Sequence, residues 1–339
     1  MHKLWRITID TNPEDCNLNC IMCEEHSPYS NFISKLYENS RVKRRVMPLE
    51  WIDKIFIQAK ELGIKEIIPS TMGEPLLYKH FEKIIELCKR HEIKLNLTTN
   101  GTFPRKSVKE WANLIVPITS DVKISWNGYS KKIAETVMVG INFEKALENL
   151  KEFINVRNEY FKETNNFCRV TLQLTFMKNN MPELSEIIKL AAELDIDRVK
   201  GHHLWAHFPE IQDLSFRKDT ESIDKWNQYV ESAYINQKKI LKPNGKQVIL
   251  ENIIPLKKQE VDEVPETYEC PFLNRELWIS ATGKISPCCA PDNERKALGD
   301  FGNIQETSLI NVIQSESYQN LVNNYKKIPL CKTCNMRKP

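Results

Sequence analysis

Two hydrophobic periods take turns along the first part of this chain, and their alternation limits the possible folds more than any other feature. Apolar or β-branched runs stand at residues 4–11, 66–70, 94–99, 121–126, 169–177 and 197–202. Between them, Leu49, Ile52, Ile55, Phe56, Ala59 and Leu62 recur at helical spacing, as do Phe81, Ile84, Ile85 and Cys88. So do Phe143, Ala146, Leu147, Leu150 and Ile154, and later Leu184, Ile187, Ile188 and Ala191. Short apolar runs read as strands and 3.6-period segments as helices. Strands separated by helices pair through right-handed crossovers, so these form a parallel sheet, open or rolled towards a barrel. In either form the chemistry belongs at the C-terminal ends of the strands.

The loops at those ends carry the unusual residues. "DTNPEDCNLNCIMCEEHSP" follows the first run and holds Cys16, Cys20 and Cys23 in a C-x3-C-x2-C spacing. "STMGEP" (70–75), "TTNG" (98–101), "SWNG" (125–128) and "GHHLWAHF" (201–208) follow later runs. Three thiolates suit neither a closed zinc site, which takes four ligands, nor a disulfide framework, which takes an even number. A cubane iron–sulfur cluster held by three cysteines has one iron without a protein ligand, open to a small molecule. The competing reading is a zinc site completed by His26.

The rest of the composition narrows the setting. Lys and Arg number 48 against 45 Asp and Glu, a net charge of +3, which does not point to nucleic acid. The run "RVKRR" (41–45) reads as a solvated loop. No run of about eighteen apolar residues predicts a membrane span. The start "MHKLWRITID" has no secretory signature, so a cytoplasmic protein is expected. Ten cysteines in a reducing compartment read as metal ligands or catalytic groups rather than disulfides. Cys88 on a core stripe and Cys168 at a strand start read as inert.

Beyond residue 210 the pattern changes. Residues 219–239 read as a polar helix, then a linker rich in Lys, Pro and Glu runs to 269. Residues 277–289 read as a β-hairpin turning at Thr282-Gly283, and 308–325 as one helix. Cys270, Cys288, Cys331 and Cys334 form a second set of four thiolates, able to close a zinc ion or a four-iron cluster. Cys289 is left over: a fifth ligand, a hydrogen donor, or a buried apolar filler.

"CNLNCIMC" resembles the cluster motif of the radical S-adenosylmethionine (radical SAM) enzymes. "GEP" resembles that family's loop for the methionine amino group, and "TTNG" and the serine of "SWNG" its contacts to the SAM carboxylate and ribose. The resemblance runs from Leu4 to about His203. It implies a partial (βα)6 barrel over residues 1–210, with a SAM-binding 4Fe-4S cluster on Cys16, Cys20 and Cys23. It also implies SAM contacts from Met22, Gly73, Glu74, Pro75, Thr98, Asn100, Ser125 and Met177. Reduction by a flavodoxin- or ferredoxin-type donor then releases a 5′-deoxyadenosyl radical that takes hydrogen from substrate. The chain departs from the family pattern in four places, one being Met22, where an aromatic residue often stands. Met72 stands for a glycine, the usual S-I-D-G is Ser125-Trp126-Asn127-Gly128, and no arginine opens the following helix, leaving Lys131 or Lys132 as substitutes.

The C-x12-G-x4-C from Cys270 through Gly283 to Cys288, followed by "PLCKTC", resembles the SPASM/twitch extension of such enzymes. It implies an auxiliary domain over 266–339 holding one auxiliary 4Fe-4S cluster, after a linker and helix at 211–265. His202, His203, Trp205 and His207 are candidates for substrate contact, with His202, His203 and Cys289 as catalytic candidates, and residues 29–45 as a lid. Because the first strand opens the sequence, no winged-helix peptide-recognition domain is expected before it. The expected reaction is hydrogen abstraction from carbon of a small polar substrate, sugar- or aminocyclitol-like, giving dehydrogenation or epimerisation. A ribosomal-peptide maturase is the alternative, and a zinc-stapled, non-catalytic binding protein the second.

Overall fold

The computed structural model describes residues 4–39, 44–69 and 72–339. Arg41, Val42 and Lys43 of the basic run, and Ser70 and Thr71 of "STMGEP", lie outside the described residues. The strands are β1 (Arg6–Ile9), β2 (Asn19–Cys20), β3 (Glu66–Ile68), β4 (Lys94–Thr99), β5 (Thr119–Ser125), β6 (Met138–Val139), β7 (Arg169–Phe176), β8 (Arg198–His203), β9 (Ile249–Glu251), β10 (Glu276–Ile279) and β11 (Ile285–Ser286). They are embedded in an α/β fold whose strand pairs are mostly parallel, the class expected from the alternating periods. The chain gathers into two compact units, one of residues 1–16, 32–97 and 263–339, the other of 17–31 and 98–262.

In the first unit the strand order is β11-β10-β1-β3-β4. β1 pairs in parallel with both β3 and β10, and the β10–β11 hairpin is antiparallel. Ile7, Ile9, Ile67, Leu277 and Ile279 on one face are buried, as are Ile52, Ile55, Phe56 and Ala59 of the helix Leu49–Glu61. Arg6 and Thr8 on the other face both bond the carboxylate of Glu276, which is buried on β10. The hairpin expected at 277–289 is therefore an extension of the sheet, locked to β1 by a buried charge-assisted pair.

In the second unit β5, β7, β8 and β9 run in parallel in that order. Alternation sorts their side chains. Val122, Ile124, Val170, Leu172, Leu174, Phe176 and Val199 are essentially fully buried. Asp121, Lys123 and Ser125, then Thr171, Gln173 and Thr175, then Arg198, Lys200 and His202 occupy the other face by the same period. Their bonds confirm the shared side. Thr171 Oγ1 donates to Asp121 (2.8 Å), Arg198 Nε to Thr171 (3.1 Å), and Lys200 Nζ reaches Glu251 (2.7 Å). One face of this sheet is thus apolar and helix-covered, and the other polar along its length.

Two readings of the sequence are corrected. The stretch expected as linker holds β9, which pairs with β8. The helix expected at 308–325 is two, Leu309–Gln314 and Glu316–Asn324, because Ser315 takes an extended conformation (φ −63°, ψ 147°) and its side chain accepts from Tyr318 N. A serine that caps ends one helix as it begins the next.

Candidate active site and cysteine centres

In the first unit the chain leaves β1 through buried Asp10, Thr11 and Asn12. Thr11 Oγ1 donates to Asn12 Oδ1 (2.7 Å), and Asn12 Nδ2 donates to the Glu74 carbonyl (3.0 Å). Glu74 N donates to Asp15 O (2.7 Å). The "GEP" loop is thereby tied to the start of the cysteine loop. Gly73 is required for that approach, since a Cβ there would sit 2.0 Å from Asn12 O and 2.9 Å from Asp15 O. Glu74 is buried, and its carboxylate caps the short turn Pro75–Leu77 by accepting from Leu76 N (3.2 Å). Cys16, half-buried, lines a cavity of about 500 Å³ with Asp15, Arg44, Leu77, Tyr78 and Lys79.

In the second unit Cys20 lies on β2, which pairs with β6 so that Cys20 faces Met138. Cys23 N donates to Cys20 O (3.0 Å), and His26 N donates to Cys23 Sγ (3.4 Å). The turn puts a backbone donor on a sulfur. Half-buried Met22 stands between the two cysteines. Asn100 Nδ2 donates to Asn17 Oδ1 (2.8 Å) and Asn17 Nδ2 to Thr102 Oγ1 (3.0 Å), fastening the "TTNG" loop to the cysteine loop. Thr98 is half-buried near the end of β4.

Ser125 ends β5 in register with Gln173. Asn127, in the place of the family's aspartate, is buried and accepts from Thr175 N (2.8 Å), which holds the "SWNG" turn to β7. Met177 is fully buried, its N–H donating to Asn180 Oδ1 (3.0 Å). Lys131 is engaged by Glu144 (2.9 Å) at an exposed site, and Lys132 is also exposed.

The two catalytic histidine candidates separate across β8. His202 stands on the polar face, its Nδ1 3.4 Å from Gln173 Nε2. An amide nitrogen only donates, so Nδ1 accepts and the neutral ring carries its proton on Nε2. Burial, then the charge of Lys200, lowers its pKa to about 4. His203 faces the other way, among Phe176 (5.4 Å between ring centres), Trp226 (4.8 Å) and Phe216 (6.5 Å). Burial in that aromatic box lowers its pKa to about 3. Trp205 and His207 are half-buried in the loop beyond.

At the other end of the chain, the hairpin turn needs Gly283 (φ +82°), where a Cβ would lie 2.5 Å from Asn303 Oδ1. Leu273 N donates to Cys270 Sγ (3.4 Å) and Ala290 N to Cys288 Sγ (3.3 Å). Burial, then the charges of neighbouring thiolates, pushes Cys331 up to about 12. Burial with the same neighbours takes Cys334 to about 11. The Cys289 thiol donates to Cys288, which holds Cys288 below the ordinary range and drives Cys289 well above it. Cys270, Cys288, Cys289, Cys331 and Cys334 therefore share one neighbourhood. Among the described residues, no three His, Cys, Asp or Glu side chains stand at the spacing of a single bound ion. A cubane asks for a wider set, because each thiolate takes a different iron. A group of soft sulfurs with backbone donors aimed at two of them fits such a cluster.

Sequence reasoning passed over two features. The polar face of β5, β7, β8 and β9 was latent in the alternation of "TSDVKIS" and "RVTLQLTF". Arg337 is buried with its guanidinium on backbone carbonyls that flank the cysteines. Its only signal is an arginine three places after the last C-x2-C.

Residues 13–191 match the family model of the radical SAM superfamily, and residues 270–335 match that of the SPASM iron–sulfur cluster-binding domain. A probable GTP 3′,8-cyclase of Pyrococcus abyssi is 34% identical over 89 residues, 26% of this chain and 25% of the relative. The chain thus matches only about a quarter of that cyclase's length. The tungsten-containing aldehyde ferredoxin oxidoreductase cofactor-modifying protein of Pyrococcus furiosus is 23% identical over 340 residues, covering 95% of this chain and 85% of the relative. Among solved structures, SuiB of Streptococcus suis bound to its precursor peptide SuiA superposes with a TM-score of 0.67 at 18% identity, covering 99% of this chain and 72% of that one. That last likeness is one of fold.

Proposed function

This chain belongs to the radical SAM superfamily and carries a SPASM domain, and we propose that it abstracts hydrogen from a carbon of a small polar substrate. Enzymes of this family use SAM and a 4Fe-4S cluster, and the SPASM domain binds auxiliary iron–sulfur clusters. When bound, the cluster and SAM supply hydrogen-atom abstraction by a 5′-deoxyadenosyl radical.

The chain's own residues take the following parts in this reading. Cys16, Cys20 and Cys23 hold the SAM-binding cluster, with His26 N steadying the Cys23 sulfur. Gly73 lets the "GEP" backbone come close, Glu74 and Pro75 shape that loop, and Thr98, Asn100 and Ser125 offer polar contacts to SAM. Met22 and Met177 supply apolar packing for its adenine. Cys270, Cys288, Cys331 and Cys334 hold one auxiliary 4Fe-4S cluster. With four thiolates it has no open iron, which suits electron transfer rather than substrate binding and so favours dehydrogenation or an epimerisation that needs an electron. Cys289 stays beside it as a protonated thiol.

The observation that carries the substrate class is the polar face of the second unit's sheet. Lys123, Gln173, Thr175, Lys200 and His202 line it, on the side where Ser125 stands. A face of hydrogen-bonding groups suits a ligand rich in hydroxyl or amino groups, because the capacity these groups keep beyond their own pairs is met by polar atoms. His202, with its proton on Nε2, donates to a substrate oxygen. His203, boxed by aromatic rings, positions β8. The relative named for cofactor modification, alike over 95% of this chain, is consistent with a small-molecule product. Reductant comes from a flavodoxin- or ferredoxin-type donor.

The test is anaerobic incubation of the iron-loaded protein with SAM, a reductant and candidate sugars or aminocyclitols, scoring 5′-deoxyadenosine. Release above the substrate-free level with one of them is expected, and none with Cys20→Ala. Stimulation by a peptide and by no sugar would move the assignment to a peptide maturase.

A further inference from the structure

Arg337 is a cation with 5% exposure and a carbonyl shell. Its Nε donates to Tyr268 O (2.9 Å), Nη1 to Cys331 O (3.0 Å), and Nη2 to Tyr268 O (2.7 Å), Pro265 O (3.0 Å) and Glu266 O (3.1 Å). These carbonyls come from two stretches distant in sequence. One leads into Cys270, and the other carries Cys331 itself. The guanidinium also lies over the Tyr325 ring at 5.9 Å, and the Tyr325 hydroxyl accepts from Cys270 N (3.2 Å). Glu269, whose carboxylate feels it, is already bonded by Tyr325 and Lys326 and is exposed. A buried arginine satisfied by carbonyls, rather than paired with an acid, keeps its full positive charge.

The Arg337 guanidinium is bonded directly to the carbonyl of Cys331, and the Tyr325 ring beneath it carries the hydroxyl that accepts from Cys270 N. A fork bridging the two ligand segments fixes their separation in a way a single ammonium cannot. A cation beside a cluster favours its more negative, reduced state, and net charge is among the factors that set such potentials.

We propose that Arg337 is a positioning residue for the auxiliary cluster: its guanidinium clips the segment before Cys270 to the Cys331–Cys334 turn, and its charge raises the cluster's reduction potential. The proposal rests on assigning Cys270, Cys288, Cys331 and Cys334 to that cluster.

The experiment uses the full chain with Cys16, Cys20 and Cys23 all changed to alanine, so that only C-terminal iron remains. It is loaded anaerobically with iron and sulfide, assayed for iron, and titrated redox-potentiometrically by electron paramagnetic resonance. With Arg337 intact, this background should hold one cluster; absence of iron there sinks the cluster assignment itself, not the role of Arg337. Arg337→Gln should either lose most of that iron or keep it with a midpoint lower by about 59 mV, a tenfold change in a one-electron equilibrium. Arg337→Lys should hold its midpoint closer to the parent yet release iron to a chelator several-fold faster. Parental iron content and midpoint in Arg337→Gln overturn the proposal. Should that variant be insoluble, Arg337→Lys decides: faster iron release supports the proposal, and the parental rate overturns it.

Discussion

The two cysteine groups are built on different principles. Cys16, Cys20 and Cys23 lie within eight consecutive residues, and His26 N donates to the Cys23 sulfur. Cys270, Cys288, Cys331 and Cys334 come from segments up to 64 residues apart and are drawn together by a hairpin, two helices and a buried arginine. The first group owes its geometry to chain proximity, the second to tertiary structure. Three ligands in a loop leave a cluster corner open for chemistry, whereas four ligands set in a framework close it. On the proposed assignment, reactivity is placed where the scaffold is local, and electron handling where it is global.

The largest effect should come from exchanging damage between the groups. Cys20→Ala is expected to lose all SAM cleavage while keeping the C-terminal iron. Cys331→Ala should keep substrate-independent 5′-deoxyadenosine release but lose product formation. Iron assays with chromatographic product analysis check both, and equal loss of SAM cleavage in the two variants breaks the division of labour. Next comes Gly73→Ala, whose Cβ has no room beside Asn12 O. It should cost about 3 kcal/mol in a urea melt or displace the loop and abolish SAM binding by calorimetry.

A smaller effect, away from both groups, comes from the histidines on β8. Their folded pKa values, about 4 for His202 and about 3 for His203, lie below the ordinary 6.5. Below pH 6.5 the unfolded chain takes up protons that the folded chain refuses. Their contribution is therefore complete above that pH and is lost progressively as pH falls towards those lower values. Melts across this acidic window should show stability falling with acidity, and His203→Phe should flatten the slope by at most about 1.4 kcal/mol per pH unit. The same slope in iron-loaded and iron-free protein would show that acid sensitivity belongs to the aromatic box rather than to either cysteine group. Least of all, Lys131→Ala should change neither melting nor SAM affinity, since its ion pair with Glu144 is exposed. A clear loss of SAM affinity there would restore Lys131 as the stand-in for the family's arginine.

Local features were legible in the sequence and long-range ones were not. β4 lies where its pattern put it, at Lys94–Thr99, and the helix Leu49–Glu61 where its apolar stripe put it, because period and burial act within a few residues. The cysteine spacing and Gly283 announced themselves for the same reason. β9 escaped because three residues, only lightly buried, leave no pattern in a polar stretch. The parallel seam between β1 and β10 escaped because pairing between residues 270 positions apart leaves no mark on either segment. The histidine pair shows the same limit in miniature. Adjacent in sequence, His202 and His203 point to opposite faces, and only the strand's direction tells which meets the polar side.

That seam between β1 and β10 governs how the protein is made. β1 is translated about 270 residues ahead of β10, so one of its neighbours is missing until residues 276–279 appear. At about 5–20 residues per second, an apolar strand therefore waits for at least about 13 s with one edge uncovered. Nascent chains are exposed to mispairing throughout that interval, and a truncation before Glu276 removes a wall of the first unit together with the Glu276 carboxylate that Arg6 and Thr8 bind. Chaperone demand during synthesis should track this waiting time, and slowing translation after β3 should lengthen it.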